Sequence, residues 1–226
     1  MDEFETLSVQ IYRILRGEII MAQLSPGTRL VRRVLSKRFG VSPIPVTEAL
    51  FRLEQDGLVE SEPMYGARVK PMTVETVRND QALREAIECQ TARMCAENAA
   101  ADQFKDLAAK AKALDGHIRR GNPYSQKGME THFDFHMSIA RCARCPALEQ
   151  ALERVWFRRL MQIGWAQAVL FRVPLGWHST LVKALATRDP ERAEAAMRYH
   201  VRFNNDKYLA ALDRLGARRV KSHSAA

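Results

Sequence analysis

Apolar positions between Leu7 and Val69 follow two different spacings. From Leu7 to Ile20, residues Val9, Ile11, Tyr12, Ile14, Leu15 and Ile19 recur at three- and four-residue intervals, which predicts an amphipathic helix. Pro26-Gly27 marks a turn. VRRVLSKRFG repeats the helical spacing with Val31, Val34, Leu35 and Phe39, and Gly40 stands where a helix end favours a left-handed residue. Ser42 is a candidate N-cap, and Pro43 and Pro45 suit the start of a second helix. Its inward face is Val46, Ala49, Leu50 and Leu53, and Gly57 closes it. Beyond Gly57 the pattern shortens. Leu58-Val59 and Ala67-Val69 predict two short strands around a turn containing Pro63 and Gly66.

Two short helices followed by a small hairpin make a winged helix-turn-helix. Its second helix lies in the DNA major groove and its wing meets neighbouring backbone or the minor groove. A helical hairpin used only for protein contact is the alternative. Past the wing no strand pattern recurs, and helical spacing predicts helices over 74–98, 103–120, 125–142, 147–164, 165–171, 175–187 and 190–215. The expected fold is therefore mainly α: a winged helix-turn-helix over 1–72, an all-α bundle over 73–215 and a basic tail over 216–226.

Composition narrows the setting. With 226 residues and 46% hydrophobic content the chain can bury real cores. No run approaches the ~20 apolar residues of a membrane span, and the opening MDEFETLSVQ is acidic rather than signal-like, so a soluble, cytoplasmic protein is expected. Four cysteines make no disulfide framework. Cys142-Ala143-Arg144-Cys145 stands alone before Pro146 and reads as incidental, with redox sensing as the alternative. The formal charge of +9 is unevenly spread, since residues 1–70 hold ten Lys/Arg against nine Asp/Glu. Yet Arg29, Arg32, Arg33, Lys37 and Arg38 cluster without an intervening acid, and such a basic face positions phosphates.

The bundle carries a histidine pattern. His132 and His136 are one helical turn apart on one face. His178 and His200 each lie eleven residues from Asp189, a helix start reinforced by Pro190 and Glu191, so an antiparallel hairpin sets them at matching heights. Four imidazoles can thus converge from three helices, and imidazole suits zinc, nickel, copper or iron. Taken singly, each histidine could equally be a surface or singly bonded core residue.

PGTRL, LSKRFGVS, PVTEALFRLEQDGLV and YGARV resemble the DNA-binding domain of the GntR family of bacterial transcriptional regulators. The resemblance implies DNA-facing positions at Arg32, Arg33, Ser42, Pro43, Ile44, Thr47, Arg52, Tyr65 and Gly66. Pro43 and Thr47 replace two arginines that relatives place against phosphate or guanine, so the usual operator does not carry over. FHMSIARCA, GWHSTLVKALATRDPERAEAAM and MRYHV resemble the FCD-type effector domain of the FadR subfamily. Many such domains bind a divalent metal through an aspartate, the histidine of D-x-x-x-H and two later histidines. Here His132 occupies the aspartate position, and His136, His178 and His200 match the other ligands. Asp134 is turned away from that helix face. A fourth imidazole leaves the site more positive, favouring borderline metals such as zinc or nickel and an anionic ligand. Arg84 matches an arginine lining the effector cavity of relatives and fits a carboxylate; a solvated ion pair with Glu88 or Asp80 is the alternative.

The expected function is a homodimeric DNA-binding regulator, a repressor by preference, acting on an inverted-repeat operator and sensing a small organic acid through a metal. A metal-responsive regulator and a helical-bundle metalloenzyme are the alternatives. His132-Phe133-Asp134-Phe135-His136 sets no carboxylate on the metal-facing side to act as a general base, which argues against the enzyme.

Overall fold

The structure, a computed structural model, describes residues 5–121, 125–165, 173–210 and 212–213. Among these residues the elements run α1 (Leu7–Ile20), β1 (Arg29–Val31), α2 (Arg32–Phe39), α3 (Pro43–Gln55), β2 (Val59–Glu62), β3 (Gly66–Val69), α4 (Val74–Asn98), α5 (Ala101–Arg119), α6 (Gln126–Cys142), α7 (Pro146–Trp165), α8 (Trp177–Leu185) and α9 (Pro190–Arg202). They form two compact units. One comprises Met1–Met72 with Phe157–Trp165, and the other Thr73–Trp156 with Ala166–Ala226.

In the first unit, Ile11, Leu15 and Ile19 of α1 meet Val46, Ala49, Leu50 and Leu53 of α3 in a closed core, as their spacing requires. Tyr12 adds a polar tie, its hydroxyl donating to Asp56 Oδ2 at 2.5 Å; burial, and then this bond, push the phenol up to about 12. The sheet has a strand that the sequence pattern missed. β1 pairs with β3 (Arg29↔Arg68, Leu30↔Ala67, Val31↔Gly66), giving the antiparallel order β1-β3-β2. Three residues with a single fully buried side chain, Leu30, show too little alternation to announce a strand. Val34, expected to face inward, is 59% exposed: α2 starts at Arg32 and is only long enough to bury Leu35.

The wing is fastened to the helix-turn-helix. Arg32 N–H donates to the Tyr65 carbonyl at 3.2 Å, and β2 and β3 meet at Glu62↔Gly66 around an exposed Pro63-Met64-Tyr65 tip. Gly66 sits at φ +140°, and a Cβ there would lie 2.3 Å from the Leu30 carbonyl oxygen.

The second unit is all helical. α4 packs along α9, while α5 packs against α6 and α8. Its core gathers Ala92, Cys95, Leu107, Phe135, Ile139, Leu185 and Met197. The buried face of α4 is not purely apolar: Gln81, Arg84, Glu88 and Thr91, three or four residues apart, are buried alongside Val77, Ile87 and Ala92. The helix expected over 190–215 is broken after Arg202: Asn204 takes φ +60°, a conformation asparagine tolerates, and the chain turns helical again from residue 205. The helix expected over 165–171 and the tail over 216–226 lie outside the described residues, apart from Trp165 at the end of α7.

Two glycine substitutions should separate backbone demands within the winged unit. Gly66→Ala should cost more than about 1 kcal/mol, because a methyl group meets both an unfavourable φ and a strand carbonyl. Gly17→Ala, inside α1 with nothing within 4 Å, should gain roughly 0.5–1 kcal/mol. Denaturant unfolding of the two variants reads both signs.

Candidate metal centre and DNA-facing surface

One ring nitrogen from each of His132, His136, His178 and His200 lies within 4.8 Å of the others. The rings close a circuit: His132–His136 at 5.0 Å, His136–His200 at 5.3 Å, His200–His178 at 5.1 Å and His178–His132 at 5.1 Å between centroids. The i,i+4 pair on α6 and the hairpin of α8 and α9 therefore meet. His117, on α5, is not part of the cluster.

Carboxylates orient two of the rings. Asp115 of α5 accepts from His178 Nδ1 at 3.1 Å, from the backbone N–H groups of His178 and Ser179 at 3.1 Å each, and from Ser179 Oγ at 2.6 Å. Gly176, the N-cap of α8, has no side chain to offer, so the cap comes from another helix. Burial raises the Asp115 carboxyl, but these bonds outweigh it and bring it down to about 2. On α4, Glu88 Oε1 accepts from Arg84 Nε at 2.6 Å and from Trp156 Nε1 at 3.1 Å, while Oε2 meets His136 Nδ1 at 2.5 Å. Burial raises this acid also, but its interactions with His136 and with the Arg84 guanidinium outweigh it, again to about 2. Because an ionised carboxylate can only accept, both Nδ1 atoms carry a proton, and in the neutral ring the lone pair then lies on Nε2.

Those lone pairs are unused. Nε2 of His132, His136 and His178 is buried with no hydrogen-bond partner among the described residues. Such groups normally find partners, and leaving each unmade costs about 1–3 kcal/mol. Burial, then the neighbouring imidazoles, hold His132 and His200 well below the ordinary histidine range; burial also lowers His136 against the pull of Glu88. The rings of His132, His136 and His200 are thus favoured in the neutral form, the state that ligates metal. The donor set fits a borderline divalent ion, with α4, α5, α6, α8 and α9 all contributing ligands or their orienting partners. Asp134, as expected, is held elsewhere, by Lys110 at 2.6 Å and Arg141 at 3.3 Å.

Arg84 is buried, not solvated as the ion-pair alternative had it, though its partner is indeed Glu88. Its guanidinium lies 5.0 Å from the Trp156 ring centroid. One turn earlier on the same face, Gln81 is 7% exposed, and neither amide atom has a partner among the described residues. Sequence reading passed over Gln81, Asp115 and the orienting part of Glu88. A signal was present: Asp115 follows Ala111 by four on an otherwise apolar face, and Gln81, Arg84 and Glu88 interrupt the buried side of α4. The four cysteines are free thiols, Cys142 buried and Cys145 partly exposed.

On the winged unit, the basic cluster is smaller than it reads. Arg29 pairs with Glu62 at 3.0 Å and Arg38 with Glu18 at 2.9 Å. Arg32, Arg33, Lys37 and Arg52 have no carboxylate partner among the described residues, and Arg33, Lys37 and Arg52 are exposed. Ser42 stands at the N-cap of α3, but its hydroxyl makes no capping bond; Pro43 and Pro45 bring no N–H, so fewer donors need one. Ser42, Pro43, Ile44, Thr47 and Tyr65 are exposed, whereas Gly66 is buried beneath β1.

A winged helix-turn-helix followed by a helical bundle is the architecture of a DNA-binding transcriptional regulator. The chain belongs to the gntR family of bacterial regulatory proteins, whose model matches residues 7–69, and residues 81–203 match the FCD domain. It is 30% identical over 203 residues to the HTH-type transcriptional repressor RspR of Escherichia coli (strain K12), covering 87% of this chain and 86% of that one. It is 26% identical over 203 residues to a probable D-xylose utilization operon transcriptional repressor of Paenarthrobacter nicotinovorans, covering 87% and 86%. The solved structure of E. coli McbR/YncC shares the fold, with TM-score 0.76 at 20% identity, over 94% of this chain and 99% of that one. Family and relatives are transcriptional regulators and not enzymes, which removes the metalloenzyme alternative. No helix among the described residues is long and apolar enough to cross a membrane.

Asp115→Ala should destabilise the helical unit by about 1–3 kcal/mol, since it uncaps α8 and leaves buried donors unpaired. Asp106→Ala, at an exposed residue of the same helix, should stay within roughly 0.5 kcal/mol. Chemical denaturation of both variants makes the comparison.

Proposed function

We propose that the protein is a homodimeric, cytoplasmic repressor whose helical domain binds one divalent metal, zinc or nickel, and a small carboxylate effector that alters its grip on an inverted-repeat operator. The observation that carries the metal is the set of three buried, unpaired Nε2 atoms, two of them turned inward by carboxylates. His132, His136, His178 and His200 would hold the ion, and when bound it supplies a Lewis-acidic cation to an acid's carboxylate. Arg84 would take the acid's other end: only its Nε is bonded, and no partner of its two Nη groups lies among the described residues. Gln81 offers a donor and an acceptor beside it. Effector binding changes operator affinity only through a differential preference for one arrangement of the two winged domains. Dimerisation is expected because two linked half-sites multiply the few base contacts of one winged domain.

Elemental analysis of untagged protein should find about one metal per chain. Each single His→Ala variant at the four positions should lose it, and His117→Ala should retain it. Asp115→Asn should weaken metal affinity by about 10- to 100-fold. Metal-free protein of undiminished thermal stability would eliminate the site.

Arg33→Ala and Arg52→Ala should each weaken operator binding. A phosphate contact is read as a uniform loss with the salt slope reduced by about one, and a guanine contact as roughly 1–3 kcal/mol of discrimination lost at one base pair. Sedimentation at micromolar concentration should give a dimer; monomer with a single footprinted half-site would sink the dimeric reading.

A further inference from the structure

The groove-facing side of α3 carries an apolar stripe. Ile44 is 69% exposed and Phe51 57% exposed, and at 100° per residue their directions differ by only about 20°. Thr47 lies between them on the same side and is also exposed. Its hydroxyl hydrogen is already spent on the Pro43 carbonyl at 2.9 Å, leaving a methyl group and an acceptor oxygen. Pro43, exposed in the first turn, has neither a side-chain donor nor an N–H. Glu48 is the polar side chain among these positions, and it can only accept.

Isolated exposed apolar residues are ordinary on protein surfaces. This stripe differs in its setting. It lies on the second helix of a helix-turn-helix, and Arg32, Arg33, Lys37 and Arg52 have no carboxylate partner there. That charge fits a polyanion, so the occupant of the stripe is the floor of a DNA groove rather than another protein. On that floor guanine presents two acceptors, which demand donors; from Pro43 to Phe51 no side chain has one free, and only Ser42 and Arg52, at the two ends of the stripe, could supply them. Thymine instead presents a 5-methyl group, which an aliphatic side chain covers well.

We propose that α3 reads pyrimidine 5-methyl groups: Ile44 and the Thr47 methyl pack against thymine in the core of each half-site, and Phe51 extends the contact. The cations of α2 and Arg52 then set position on the backbone, and the apolar stripe sets sequence. The proposal rests on the assignment of α3 to the major groove. It names the chemistry being read, which thymine and 5-methylcytosine share.

The test uses the full-length protein and duplexes selected from a random pool by their binding to it. Half-site cores should be rich in thymine at the positions that footprinting assigns to α3. Replacing one such thymine by deoxyuridine removes only the methyl group and should weaken binding about fourfold, as expected for one buried methyl. Ile44→Ala should bind the thymine and uracil duplexes alike at its position; the side chain is exposed, so folding is not at issue. Placing 5-methylcytosine rather than cytosine at that site should restore part of the affinity if the methyl alone is read, and none if the adjoining thymine O4 is needed as well. The first result supports the proposal for both bases and the second confines it to thymine. Selected cores built on guanine, or uracil duplexes bound as tightly as thymine ones, would overturn it while leaving DNA binding intact. A chain that enriches no sequence from the pool would overturn both.

Discussion

The helical domain depends on a carboxylate that has no access to water. Glu88 is 1% exposed, and burying such an ion alone would be prohibitive. It is tolerated because three donors from three helices converge on it: Arg84 from its own helix, Trp156 from α7 and His136 from α6. The arginine supplies the compensating charge, so His136 need not be protonated. Its Nδ1 donates to the carboxylate, and Nε2 has no hydrogen-bond partner among the described residues. One buried ion thereby fixes a tautomer, a ring orientation and the position of Arg84.

Asp115 repeats the arrangement by another route. Its carboxylate is satisfied by a helix N-terminus and a serine as well as by a histidine. The same atoms that cap α8 hold His178 in place, so the start of that helix and the aim of its imidazole are one structural fact. Removing either carboxylate would leave buried groups unpaired, a larger penalty than the bonds themselves contribute. This explains why polar residues are kept on faces where periodicity alone would place leucine.

The winged unit divides its labour differently. Arg29 and Arg38 are paired with Glu62 and Glu18, while Arg32, Arg33, Lys37 and Arg52 have no carboxylate partner among the described residues. Gly66 lets β1 close over the wing, and the Tyr65 carbonyl binds the start of α2. Wing and first helix are thus presented as one surface, with α3 alongside.

Much of this was legible in the sequence. Spacing located α1, α2 and α3, the wing and the helices described after it, because each element buries a stripe whose period is set by its own geometry. The four histidines could be brought together on paper, since an i,i+4 pair and a symmetric hairpin are local facts. What sequence did not reveal were features that depend on a neighbour distant along the chain. β1 is a strand because β3 pairs with it, and Val34 is left 59% exposed by the described residues around it. Glu88 and Asp115 are 48 and 63 residues from the imidazoles they orient, a separation no periodicity encodes. The sequence determined which residues could be ligands; tertiary packing decided which nitrogen of His136 and His178 is free to be one, because that depends on where the buried carboxylates lie.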